Sequence, residues 1–195
     1  NDKGGETYKG VARNYHPLWE GWKIIDAYKA KKGSPMKTNE IISNPKLDDM
    51  IYSFYKSQFW DTVQGDAIKS QEVAHIVFDA YVNQTGWTRK MISDALTNSG
   101  KSTNVVVPLK SDTISVINSI APNIFFNEFK KQRELRYKQQ AQKEGQEGFL
   151  KGWMNRLSKF NILEEVKKKV SSGGLVIVGI GLLVTGIYLL TKNKQ

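Results

Sequence analysis

The first twelve residues place two carboxylates and a hydroxyl in a glycine-rich string: Asp2, Glu6 and Thr7. One carboxyl group can give a proton to a leaving oxygen while a second group stabilises positive charge or positions a water. Glycines allow the backbone to turn tightly and to approach a ligand closely. The string therefore holds groups that could take part in acid–base chemistry, namely Asp2, Thr7 and Glu6.

A structural interpretation of the same residues stays open. Asp2 and Thr7 can serve a turn as readily as a reaction, and a lone loop carboxylate such as Glu6 is often solvated or paired with a helix end. The chain has no cysteine, and its histidines, His16 and His75, lack the spacing of a metal site or a catalytic triad. We expect no metal and no cofactor.

Helices are the elements predicted to position these residues, because apolar side chains recur at three- and four-residue spacing. The segment 71–82 is apolar on all sides, which predicts the centre of the core. The β-branched run 105–107 is ambiguous between strand and loop. The predicted helices are 17–27, 47–59, 71–82, 89–96, 111–120, 123–137 and 149–160, which makes the fold mainly α.

The C-terminal segment 173–191 differs in kind, since it is uncharged and almost wholly aliphatic. Roughly 19 helical residues at about 1.5 Å each span close to 30 Å, the thickness of a bilayer's hydrocarbon core. Lysines flank it at 167–169 on one side and at 192 and 194 on the other. We predict a transmembrane helix there; a buried helix or an oligomer seam is the alternative.

The net charge of +10 favours anionic partners. No nucleic-acid-binding motif accompanies this charge, so we expect anionic cell wall or anionic lipid as partners and no nucleic acid. The chain also lacks a starting Met, and we expect the natural protein to begin before Asn1.

The motifs, taken in order, resemble glycoside hydrolase family 108, bacterial and phage muramidases also described as putative secretion activators. Gly4, Gly5, Thr7 and Gly10 fit its Gly-Gly-x-Thr-x-x-Gly element. Three further pieces fit in the same order over about residues 1–160. These pieces are Phe59-Trp60-Asp61, Phe78-Asp79-Ala80-Tyr81-Val82-Asn83 and Phe149-Leu150-Lys151-Gly152-Trp153-Met154-Asn155-Arg156.

The resemblance implies a lysozyme-like helical domain and assigns roles to the N-terminal string. The family's general acid is the Glu of a Glu-Gly-Gly element that would precede Asn1. Asp2 would then be the second carboxylate and Thr7 the group that orients water. Glu6, the only carboxylate inside the glycine-rich motif, is the fallback acid if the natural chain begins at Asn1. The spacer between Asp2 and Gly4 is shorter than the usual family form.

Substrate contacts are predicted on the loop and on the central helix. Asp79 and Asn83 are four residues apart and share a helix face, while Tyr81 and Trp87 can stack on sugar rings. The alternatives are that Asp79 pairs with an Arg or Lys, that Asn83 bonds a neighbouring segment, and that the aromatic rings pack in the core. The predicted substrate-binding residues are Gly5, Tyr8, Asp79, Tyr81, Asn83 and Trp87.

The resulting hypothesis is a peptidoglycan hydrolase that cleaves the β-1,4 bond between N-acetylmuramic acid and N-acetylglucosamine. We predict a muramidase region at 1–95, a helical peptidoglycan-binding region at 96–165, and a basic linker with the hydrophobic helix at 166–195. The expected location is the bacterial cell envelope, with the membrane helix as anchor and a role in lysis or secretion machinery. A non-catalytic peptidoglycan-binding secretion protein and a holin-like membrane-disrupting protein are the alternatives.

Overall fold

A computed structural model describes residues 3–162, and the chain forms two compact units that divide between Lys56 and Ser57. The predicted hydrophobic helix 173–191 lies outside the described residues. Of the helices between residues 3 and 162, none combines the length and the apolar character that crossing a bilayer requires.

The first unit contains a β-hairpin that the sequence analysis did not predict. Strands β1, Thr7–Tyr8, and β2, Val11–Ala12, pair antiparallel. Lys9 and Gly10 join them, and both have positive φ angles, 44° and 86°. Positive φ at both central residues defines the two-residue turn that matches the twist of a hairpin.

Two helices complete the first unit, α1 at Gly21–Lys32 and α2 at Pro45–Tyr55. Helix α2 begins as the sequence favours, because Pro45 fits the first helical position and the Asn44 side chain accepts from the backbone N–H of Leu47 at 3.0 Å. The buried side chains of this unit include Tyr8, Val11, Trp22, Ile25, Ile42, Leu47, Ile51 and Tyr55.

Helix α1 begins at Gly21 instead of at Pro17, where the helical spacing had predicted it. The carbonyl of His16 accepts the backbone N–H of Trp19 at 3.2 Å and the indole N–H of Trp22 at 2.7 Å. These two hydrogen bonds form a turn over 16–19 that replaces the first predicted helical turn.

The second unit is helical throughout its regular structure. A π-helical turn at Lys56–Trp60, which starts at the last residue before the division, and a 3₁₀ turn at Gly65–Ala67 precede its main helices. The short run 105–107 forms no strand. The main helices are α3 at Gln71–Asn83, α4 at Thr85–Asn98, α5 at Ser111–Asn118, α6 at Pro122–Ala141 and α7 at Leu150–Ser158.

Helices α3 and α6 form the centre of this unit, because α6 packs against α3, α4 and α7. The prediction of a core helix at 71–82 is confirmed, as six apolar side chains of α3 are buried. They are Val73, Ala74, Ile76, Val77, Phe78 and Ala80. The mainly α prediction is confirmed as well.

The functional division predicted after residue 95 differs from the division into compact units. Residue 95 lies inside α4, which runs without interruption to Asn98. The predicted peptidoglycan-binding region at 96–165 therefore stays a prediction about function.

Two glycines of the second unit provide a matched test of its packing. A Cβ on Gly65 would lie 2.3 Å from the Trp60 ring, whereas a Cβ on Gly86 would meet nothing within 4 Å. We expect Gly65→Ala to lower the free energy of unfolding by about 1–3 kcal/mol through overpacking. Gly86→Ala should be neutral or raise it by up to about 1 kcal/mol, since alanine favours the helix. Urea unfolding compares the two, and equal effects would contradict the packing around Trp60.

Candidate active site

The glycine-rich loop, residues 3–6, is closed by the segment that follows the hairpin. Arg13 donates its backbone N–H to the carbonyl of Glu6 at 2.8 Å, and Asn14 donates to the carbonyl of Gly4 at 3.1 Å. The Asn14 side chain adds a bond to the carbonyl of Lys3 at 3.0 Å. Glu6, one of the candidate catalytic residues, thus sits on a loop with defined backbone partners, and Thr7 follows it on β1.

Gly5 is required by this closure. Its φ is +66°, and a Cβ there would lie 2.8 Å from Nδ2 of Asn14. Both the left-handed conformation and the close approach exclude a larger residue without rearrangement. The structure therefore shows a structural role for Gly5, and its predicted contact with substrate stays a prediction.

Four charged side chains fix the loop to α1; we call them the charge cluster: Glu6, Arg13, Asp26 and Lys29. The Arg13 guanidinium donates to Asp26 at 2.7 and 3.1 Å, and its Nε lies 2.8 Å from Glu6 Oε2. Lys29 lies 2.9 Å from Glu6 and 2.8 Å from Asp26. Each carboxylate therefore contacts both cations.

The cluster sets the ionisation of Asp26. Hydrogen bonds from Arg13 and then from Lys29 lower the pKa of Asp26 to about 2. The same contacts raise the pKa of Arg13 and of Lys29. The Arg13 guanidinium also lies 4.3 Å from the centre of the Trp22 ring, which adds a cation–π contact.

Glu6, the fallback acid, belongs to this cluster. Its two oxygens both accept from Lys29, at 2.9 and 3.0 Å, and one also contacts Arg13. A general acid must present a proton to the substrate. Because its oxygens are directed at two cations, Glu6 is better suited to anchoring the loop than to giving a proton.

Thr7 follows Glu6 at the start of β1 and is exposed. Its hydroxyl donates to the carbonyl of Gly5 at 3.1 Å, so its lone pairs stay open toward solvent. Such a hydroxyl can orient a water beside the loop. Asp2 lies outside the described residues, and its predicted role stays a prediction.

Tyr8 occupies the core instead of the predicted substrate-facing position. It is 5% exposed, and its hydroxyl accepts the backbone N–H of Ile42 at 3.0 Å. In a strand, neighbouring side chains point to opposite faces. Thr7 therefore faces solvent while Tyr8 faces the core.

The hairpin turn is fixed to α2 by residues that the sequence analysis missed. The Tyr55 hydroxyl donates to the carbonyl of Lys9 at 3.0 Å, and the Lys9 ammonium pairs with Asp48 at 2.8 Å. Helical spacing had assigned Tyr55 to an apolar stripe. The Tyr55 hydroxyl bonds a residue 46 positions away, and a contact so distant in sequence leaves no pattern among neighbouring residues.

In the second unit, Asp79 is buried between two arginines. Arg133, fully buried, donates to Asp79 at 2.7 Å, and Arg156 donates to both of its oxygens. Burial alone would raise the pKa of Asp79, but the charges and hydrogen bonds of Arg133 and Arg156 outweigh it, and the pKa is lowered. Asp79 thus takes the structural alternative, pairing with arginine, and not the predicted substrate-facing position.

The other predicted substrate residues of this unit lie nearer the surface. Asn83 donates to the carbonyl of Asp79 at 2.7 Å, as their shared helix face implies. Tyr81 packs edge-to-face on Phe59 with centroids 5.8 Å apart. Trp87 is 40% exposed, with the Arg136 guanidinium 3.7 Å from its ring centre. Trp87 and Asn83 are thus exposed, whereas Tyr81 is half-buried.

No group of metal-ligating side chains occurs among residues 3–162. His75 contacts the Gln71 side chain at 2.8 Å, and burial lowers its pKa. This environment is that of a packed histidine.

A comparison with protein-family models relates the loop to known proteins. The model described as glycosyl hydrolase 108 matches residues 1–85. Residues 1–85 are thus similar to glycoside hydrolase family 108. The family 108 match covers the glycine-rich loop, the hairpin, α1, α2 and α3. It supports a hydrolase function of the peptidoglycan-degrading type in general.

A solved structure of SagA from Brucella abortus is similar to the chain as well. The similarity has a TM-score of 0.51 at 20% sequence identity and covers 82% of this chain and 79% of that one. At this identity it shows a shared fold alone. No curated protein sequence matches the chain.

The buried position of Asp79 generates a stability prediction. Asp79→Asn should lower the free energy of unfolding by about 3–5 kcal/mol, because it leaves Arg133 and Arg156 without their counter-charge. The control is Asp94→Asn, which breaks an exposed pair with Lys90 and should cost at most about 1 kcal/mol. Chemical denaturation measures both. A stable Asp79→Asn protein that fails to bind peptidoglycan would instead restore the substrate role.

Proposed function

We propose that the chain is a lysozyme-like muramidase that hydrolyses the β-1,4 bond between N-acetylmuramic acid and N-acetylglucosamine in peptidoglycan. The observation that carries the proposal is the family 108 match over a loop that is held in place and presents the Thr7 hydroxyl. The general hydrolase class follows from the family, and the bond and substrate are the proposed part.

The reaction needs a carboxyl group that protonates the leaving oxygen. Two described carboxylates of the first unit are unsuited to this role. The pKa of Asp26 is lowered to about 2 by Arg13 and Lys29, and that of Glu40 to about 2, chiefly by Lys32. Both are ionised at neutral pH and carry no proton to give.

We therefore assign the acid to the Glu that the family pattern places ahead of Asn1. In this mechanism Asp2 stabilises the positive charge that develops on the sugar, or positions the water. Thr7 orients that water with its hydroxyl. The charge cluster holds the loop that leads to Thr7 in one arrangement, and preorganisation of this kind lowers the barrier.

The net charge of +10 supports an anionic polymer as the partner. We place the protein in the bacterial cell envelope, anchored by the hydrophobic segment 173–191, where local opening of the wall would assist lysis or secretion. The reaction requires no metal and no organic cofactor.

A peptidoglycan-binding secretion protein without catalysis is the second candidate function. The observation that favours it is the engagement of Glu6 and Asp26 with Arg13 and Lys29, which leaves neither carboxylate poised as an acid. The fold and the polymer partner would be the same.

Muropeptide mass spectrometry after incubation with purified peptidoglycan tests the proposal. The protein is used at its natural length, including residues before Asn1, beside Asp2→Ala, Thr7→Val and Thr97→Val. We expect new reducing N-acetylmuramic acid ends, reduced at least about 100-fold by Asp2→Ala and about 10-fold by Thr7→Val, since acid–base groups contribute factors of this order.

Thr97→Val is the control, because Thr97 is an exposed helical threonine in the second unit. Its activity should equal that of the natural protein. Binding to peptidoglycan without new reducing ends would replace the muramidase with the binding protein, and reducing ends on N-acetylglucosamine would move the cleavage to the other glycosidic bond.

A further inference from the structure

The turn that precedes α1 exposes an unusual amount of apolar surface. Tyr15 is 64% exposed and Leu18 is 90% exposed, while Trp19 beside them is half-buried. Single exposed apolar residues are ordinary, whereas neighbouring ones can form an apolar patch of the kind that binds a ligand. We call residues 15–19 the aromatic turn.

The Trp19 ring is held in one position. A Cβ on Gly21 would lie 2.3–2.5 Å from three atoms of its six-membered ring, so the ring lies directly against the glycine backbone. Trp22 packs edge-to-face on it at 5.2 Å, and Phe54 lies 6.3 Å away. The structure thus uses a glycine to admit a tryptophan that remains partly open to solvent.

The backbone of the aromatic turn is fixed as well. The His16 carbonyl accepts from Trp19 and from the Trp22 indole, and the His16 ring packs on Phe54 at 4.7 Å. A surface that is ordered before binding loses little conformational entropy when a ligand arrives.

The aromatic turn is continuous with the glycine-rich loop. The backbone N–H groups of Tyr15 and His16 both donate to the carbonyl of Ala12, at 3.2 and 2.9 Å. Asn14, the residue between hairpin and turn, bonds the loop through Lys3 and Gly4. The aromatic turn and the glycine-rich loop are therefore adjoining parts of the first unit.

The chemistry of this surface fits a sugar ring. A pyranose has an apolar C–H face and a polar rim, which match an amphipathic aromatic side chain. The neighbouring charges are balanced, since two carboxylates and two cations make up the charge cluster and Glu20 pairs with Lys23. A balanced surface favours a neutral ring over the anionic headgroups of a membrane.

We infer that the aromatic turn, through Tyr15, Leu18 and Trp19, is a glycan-stacking subsite that holds one pyranose ring of the substrate strand beside the glycine-rich loop. The inference rests on the proposed function, because it names where that substrate lies. The sugar makes apolar contact with the three side chains, and its N-acetyl and hydroxyl groups remain at the wet rim.

Binding of a peptide-free tetramer of N-acetylglucosamine to the full chain tests the subsite without requiring hydrolysis. Calorimetric titration gives Kd for the natural chain and for Leu18→Ser, Tyr15→Ala and Gly21→Ala. Truncation of a residue central to an interface weakens binding about tenfold. We expect such an increase in Kd for Gly21→Ala, which displaces the Trp19 ring, and a smaller one for the two exposed positions.

Ile124→Ser is the matched control, since Ile124 is an apolar residue of the second unit that is 49% exposed. Its Kd should equal that of the natural chain. Leu18→Ser and Tyr15→Ala change exposed side chains and should leave the fold intact. They therefore test the subsite even if Gly21→Ala unfolds the protein. Unchanged Kd in both would overturn the subsite.

Hydrolysis kinetics on peptidoglycan separate the two proposals. A subsite predicts that Leu18→Ser raises KM with little change in kcat, as loss of uniform binding does. Hydrolysis with unchanged KM would overturn the subsite and leave the muramidase. Tetramer binding that depends on the aromatic turn, in a protein that does not hydrolyse peptidoglycan, would overturn the muramidase and leave the subsite. Binding to vesicles of anionic phospholipid that Leu18→Ser abolishes, with tetramer binding unaffected, would assign the surface to a membrane instead.

Discussion

The ion pairs that join Glu6 and Arg13 to Asp26 and Lys29 are the constraint on which the candidate active site depends. The loop they hold has little regular structure, and Gly5 adopts a left-handed conformation. Backbone hydrogen bonds from Arg13 and Asn14 close this segment, and its charged side chain needs partners on a rigid element. Helix α1 supplies them, because Asp26 and Lys29 are three residues apart and share one helix face.

The same helix fixes the two parts of the surface where we place the substrate. Trp22 underlies Arg13 of the charge cluster and donates to His16 of the aromatic turn. Gly21 admits the ring of Trp19. Because all of these contacts originate in the first turns of α1, displacement of that helix would move the candidate catalytic loop and the glycan-stacking subsite together. The packing of α1 therefore couples the position of the catalytic loop to the position of the subsite.

Helical periodicity predicted most of the fold, since α2, α3 and α6 bury most of the apolar side chains that recur at three- and four-residue spacing. Helix α7 forms where the spacing predicts it but buries only Leu157. It could not predict the hairpin, because strands of two residues are too short to show alternation. It also misplaced the start of α1, since the spacing of Leu18 and Trp19 fits a helix equally well. The turn there depends on the His16 carbonyl, a backbone group that leaves no pattern in the sequence.

The candidate site was predictable in part for a related reason. The glycine-rich string identified the loop, but the role of Glu6 depends on Lys29, which lies 23 positions away. Asp79 shows the same difficulty on a larger scale, with partners 54 and 77 positions distant. A carboxylate next to a motif suggests catalysis, and only tertiary structure shows whether cations already occupy it.

The most direct test of this account is an NMR titration of the Asp26 side-chain carboxyl in the natural chain and in Arg13→Gln. The account predicts a pKa of about 2 in the natural chain, where Arg13 and Lys29 bond the carboxylate. In the variant the pKa should move back toward 3.8, its ordinary value. Because the folded-state pKa is the lower one, the contribution of this group to stability is present above about pH 4 and is lost as the pH falls toward 2. An Asp26 that titrates near 3.8 in the natural chain would contradict the claim that the charge cluster holds the loop.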